Sequence, residues 1–119
     1  MFFAVEEWLP AFLLTVLVEL PVVVVLLARA GAPPLRTAVI VVVANLATHA
    51  AVWFIWTHLL MVGTPAYTVT VEIWAVGVEA IAYWAAFPSV PVRRTVLAAV
   101  TANLLSFVIG LGIGSLLPV

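Results

Sequence analysis

Apolar residues fill four long stretches of this chain and leave three short breaks between them. The breaks read "AGAPPLR" at 30–36, "VGTPAY" at 62–67 and "PSVPVRR" at 88–94, where proline, glycine and arginine gather. Each stretch holds about twenty residues, the length that crosses the hydrocarbon layer of a bilayer. In hydrocarbon a backbone N–H or C=O has no water to bond, so a spanning stretch must satisfy itself as a helix. The pattern therefore predicts four transmembrane helices, at 8–28, 37–60, 68–87 and 95–117. They form one all-α membrane domain over 1–119.

The positive charges orient it. Arg29 and Arg36 lie at the first break, Arg93 and Arg94 at the third, and no other Lys or Arg occurs. In a four-span protein these two breaks share one side, and the positive-inside rule makes that side cytoplasmic. Both termini then face out, and the chain is expected in a plasma (inner) membrane. Trp8, Trp53, Trp56 and Tyr67 fall toward the outer ends, where amphipathic rings anchor at the interface. His58 belongs with them. The opening "MFFAVEEWLP" has two glutamates and no basic residue, which is not the start of a cleavable signal peptide.

The chain also repeats itself. "RTAVIVVVANLAT" from Arg36 returns as "RTVLAAVTANLLS" from Arg94, and Val-Glu precedes each copy, at Glu19 and Glu79. Each half reads as a helix with Glu, a proline-rich basic loop, Arg-Thr, then a helix with Ala-Asn-Leu. A two-span unit restores its own direction, so repeat one (about 8–60) and repeat two (about 68–117) are expected to run parallel. A pseudo-twofold axis along the membrane normal would relate them.

Composition supports lipid as the solvent. Hydrophobic residues make up 67% of the 119 and charged residues 8%, far from the balance of a water-soluble domain. The formal net charge of −1 leaves no basic face for nucleic acid. The absence of cysteine excludes disulfides and thiolate chemistry.

The rare polar residues then stand out. Asn45 and Asn103 each follow their loop arginine by nine residues, which places them roughly 13–14 Å above the cytoplasmic edge. Glu19 and Glu79 lie at similar depth, so four polar side chains, one per helix, are expected near the midplane. Two adjacent carboxyls hinder joint ionisation, which suits proton exchange. The proline at 21 would free the carbonyl of Leu17 near Glu19. His49 breaks the symmetry, since its counterpart is Phe107. On helix three Glu72, Glu79 and Tyr83 share a stripe, which suggests a ladder from Glu72 through His49 to Glu79 and Glu19. Such a column suits a proton relay or cation path. The same residue types bind divalent metal, with Glu19, His49 and Glu79 as the candidate ligands. Asparagines that bridge helices as structural glue are the plainer alternative.

Helix four carries Ser106, Gly110 and Gly114, a small-residue stripe that admits a neighbouring helix and points to a homodimer or larger assembly in the bilayer. Three functions remain open: a proton- or cation-linked transporter or channel acting as an oligomer, an intramembrane metal-dependent or acid–base enzyme, and an accessory or assembly subunit of a larger membrane complex.

Overall fold

The computed structural model describes residues 2–116, with side chains from 6 to 114. Among these residues all regular structure is helical. Helix α1 spans Phe2–Ala28. Helix α2 runs through Pro34–Ala51, widens into a π-helical turn at Val52–Trp56 and closes with Thr57–Leu59. Helix α3 spans Pro65–Ala86 and α4 spans Val92–Leu116. All four are long and apolar enough to cross a membrane. The bundle's longest dimension, 43 Å, matches the ~40–45 Å of a bilayer with its headgroups. Position 117, the expected end of the last helix, lies outside the described residues.

Three of the helices start three residues earlier than the sequence pattern predicts, for one reason. Proline reads as a breaker, but its missing N–H is harmless in a helix's first turn, where that donor has no partner anyway. Pro34 and Pro65 occupy such positions, and Thr64 caps α3 by accepting from the Tyr67 N–H at 3.2 Å. The carbonyl of Pro91 opens α4 by accepting from the N–H groups of Arg94 and Thr95. The first helix ends in a Schellman arrangement. The Ala32 N–H donates to the Leu27 carbonyl at 2.9 Å, the Gly31 N–H to that of Ala28 at 3.0 Å, and Gly31 takes φ +97°. Glycine meets that backbone demand without strain.

The helices pack as a ring in which α1 touches α2 and α4, and α3 touches the same two. Toward the arginine-bearing loops the interior is tight and apolar. Val23 and Leu27 of α1 meet Val41 of α2, Tyr83 and Phe87 at the end of α3, and Ala98, Ala99 and Ala102 of α4. The three alanines let α4 come close, the usual device where lipid removes the hydrophobic drive for helix association. The Arg36 guanidinium covers this end, 5.7 Å from the centre of the Phe87 ring.

Helix α1 continues through Pro21. Both Pro21 and Leu17 are exposed on the outer face, about 200° around the helix from Glu19. The carbonyl that lacks a donor therefore belongs to the lipid side, a correction to the sequence reading, which placed it beside the carboxylate.

Candidate functional site

One polar side chain from each helix enters the middle of the bundle, immediately above the apolar core. Glu19 and Glu79 have no exposed surface, and Asn45 and Asn103 are buried with them. Their placement follows from helix periodicity. Glu19, Val23 and Leu27 recur every fourth residue along the inner stripe of α1, and Glu79, Tyr83 and Phe87 do so on α3.

Helix α4 supplies a donor to each acid. The Asn103 amide donates to Glu79 Oε2 at 2.7 Å and to the Ala99 carbonyl at 2.9 Å. The Ser106 hydroxyl donates to Glu19 Oε1 at 2.8 Å and also lies 3.0 Å from the Asn103 carbonyl. These donors sit three residues apart on α4. Asn45 is spent within its own helix, its amide donating to the Val41 carbonyl at 3.0 Å, and Thr48 donates to the Asn45 carbonyl at 3.3 Å.

Each acid keeps one oxygen without a donor, Oε2 on Glu19 and Oε1 on Glu79. The two carboxyl groups lie close enough to interact electrostatically. Ionised carboxylates only accept hydrogen bonds, so two of them can bond one another only when one carries a proton. One turn below, the Tyr83 hydroxyl is also buried without a partner.

Above the pair lies a cavity of about 250 Å³. Glu19, Asn45 and Asn103 line it together with His49 and the half-buried Glu72, and Thr15, Thr48 and Ser106 add hydroxyls. Glu79 and Tyr83 do not reach it. No Lys or Arg lines it. The imidazole of His49 turns toward α1, with Nε2 3.0 Å from Thr15 Oγ1 and Nδ1 buried without a partner. The Phe12 ring stands edge-on to it, with centroids 6.0 Å apart. Just beyond His49 the Val52 N–H bonds back to the carbonyls of His49 and Thr48, where α2 enters its π turn. Such turns recur at functional sites, and here Val52 becomes part of the cavity wall.

Of the seven residues proposed from sequence, five share the cavity and two lie beneath it. Among the described residues, no three His, Asp or Glu side chains converge closely enough to hold a metal ion, so Glu19, His49 and Glu79 do not form a ligand set as they stand. Ser106 is engaged with Glu19 inside the chain, and Gly110 lines the cavity. A Cβ at Gly110 or Gly114 would meet nothing within 4 Å. His58 is exposed near the end of α2, as an interfacial anchor would be. Thr15 and Thr48 were missed, although each stands one turn from a residue already singled out: Thr15 four before Glu19, Thr48 three after Asn45.

The two donors on α4 give a stability test. Ser106→Ala and Asn103→Ala should each lower resistance to unfolding in mixed micelles by roughly 0.5–2 kcal/mol, the range of hydrogen bonds between membrane helices. Leu104→Ala, between them and 60% exposed, should change it by less than ~0.5 kcal/mol. Equal effects at all three positions would contradict the two carboxyl bonds. Chemistry alone has to identify this site, because no protein-family model, curated protein sequence or solved structure matches the chain.

Proposed function

We propose that this chain is a small membrane carrier in which Glu19 and Glu79 exchange a shared proton for a cation entering the cavity above them. One observation carries the reading: two carboxyls without exposed surface lie side by side, each with an oxygen that has no hydrogen-bond partner among the described residues, and Glu19 lines a polar hollow. Ionisable residues inside a membrane are functional by default, because insertion alone disfavours them by about 2.5–3.5 kcal/mol each. A cation reaching the pair stabilises its ionised form and releases the proton. Proton and cation thus compete for the same oxygens, which is the coupling an exchanger needs. A purely register-setting layer would use the bonds from Asn103 and Ser106 but has no use for the hollow, for the spare oxygens or for His49.

Internal duplication belongs to this proposal. Most buried positions support it, since Glu19, Val23 and Leu27 of α1 match Glu79, Tyr83 and Phe87 at an offset of 60, and only Val71 of α3 lacks a buried counterpart. Thr37, Val41, Ala44 and Asn45 of α2 likewise match Thr95, Ala99, Ala102 and Asn103 of α4 at an offset of 58, whereas Thr48, Ala51 and Ala98 have no buried counterpart. A twofold along the bundle then puts one acid from each half on the axis, which brings the two together. The hydroxyls of Thr48 and Ser106 keep the same spacing but not the same task, because only Ser106 reaches a carboxyl. In this proposal the arginine loops face the cytoplasm and the cavity opens to the outside.

Exchange is tested in liposomes loaded with a pH-sensitive dye and an acidic lumen. Adding external Na⁺, K⁺ or tetramethylammonium should speed lumenal alkalinisation for at least one of them with the native chain. Glu19→Gln and Glu79→Gln should reduce that rate at least tenfold. Identical rates in native protein, both variants and empty liposomes for every cation would overturn the exchange. Orientation is tested separately, on a background free of native cysteine. Val62→Cys should react with an impermeant maleimide added outside intact cells, and Ser89→Cys only after lysis. The reverse labelling would invert the topology.

A further inference from the structure

A second hollow adjoins the polar cavity. It is a groove of about 330 Å³ between α3 and α4, and Glu72, Asn103 and Phe107 belong to both spaces. Apart from those and Thr68 its walls are apolar: Val69, Ile73 and Val76 on one side, Val100 and Leu104 on the other. Val69, Ile73 and Leu104 are 56–68% exposed on the outside of the bundle, the face that lipid covers. A carboxylate-lined pocket thus opens sideways into a slot that suits a hydrocarbon chain.

We infer that the cation this site takes is an amphiphile, an organic ammonium whose charged head enters the cavity while its alkyl tail lies in the groove between α3 and α4. The inference rests on the exchange reading above. Charge complementarity selects the head. Glu19 and Glu72 line the cavity and Glu79 stands behind Glu19, whereas all four arginines belong to the breaks at the opposite end. An anionic or zwitterionic head would bring negative charge to three carboxyls with no Lys or Arg among the lining residues. Shape selects the tail. The two hollows together lie within the 300–1,000 Å³ common for small-molecule sites, and the larger part is apolar. Glu72 stands at their junction, where a head entering sideways from the bilayer first meets a carboxylate. That gives it a role distinct from the buried pair.

The test uses the full chain in maltoside micelles, in weakly buffered solution near neutral pH, with a dye reporting protons released on ligand addition. The probes are alkyltrimethylammonium ions from tetramethylammonium to the octyl member. All are permanently charged, so any proton released comes from the protein. In native protein the concentration for half-maximal release should fall about two- to fourfold per added methylene, then level off once the groove is full. Leu104→Trp, a largely exposed substitution on the groove wall, should flatten that series while leaving the tetramethylammonium response in place. Val76→Trp, deeper on the opposite wall, should do the same, and Leu17→Trp on the outer face of α1 should not. Release by every probe at one common concentration overturns the tail site and leaves exchange standing. A chain-length series that survives unchanged in both groove variants also overturns it, because micelle partitioning then accounts for the trend. No release by any probe defeats the exchange reading along with this one.

Discussion

Two carboxyl groups buried together inside an apolar bundle set the terms for everything around them. A carboxylate in hydrocarbon is strongly disfavoured, and here neither Glu19 nor Glu79 has exposed surface. The chain does not neutralise them with arginine. It places one neutral donor on each, Asn103 and Ser106, and among the described residues the other oxygen of each has no hydrogen-bond partner. In the proposed exchange, a proton or a cation between the acids completes that arrangement.

The rest of the bundle divides at that level. Below the pair, alanines on α4 and the large side chains of Leu27, Tyr83 and Phe87 close the interior. Above it, small and polar side chains leave room, and the π turn of α2 brings Val52 into the wall. Helix α4 serves both halves: Ala98, Ala99 and Ala102 allow close packing, and the next turn carries both carboxyl donors. Packing and chemistry are thus joined on one short segment, and substitutions between 98 and 106 will seldom affect only one of them.

Much of this was legible in the residue pattern, and the reasons are specific. Long apolar runs broken by proline and arginine have few physical solutions in lipid, so four helices followed directly. Glutamates and asparagines are so scarce among these runs that their depth could be counted residue by residue. Helix starts were misjudged by three residues because Pro34 and Pro65 were treated as loop, although a first turn accepts proline. Ser106 was read for its size, and its hydroxyl proved to be the partner of Glu19. The cavity was not legible, since empty volume depends on how side chains of four helices pack together. The π turn leaves no mark in the sequence either, as "VWFIW" contains no proline or glycine. His, Glu and Glu made a reasonable ligand list by type, but His49 faces Thr15 on α1, and residue type says nothing about which way a ring turns.

Infrared spectroscopy of the protein in lipid near neutral pH tests the central claim most directly. A pair that holds one proton between its members titrates as a unit, so each carboxyl reports on the other. The expected result is a carboxylic-acid C=O band that shifts in deuterium oxide, disappears when a competing cation is bound, and moves when either Glu19 or Glu79 alone is replaced by glutamine. Carboxylate bands alone, or acid bands of Glu19 and Glu79 that each ignore replacement of the other, would contradict it.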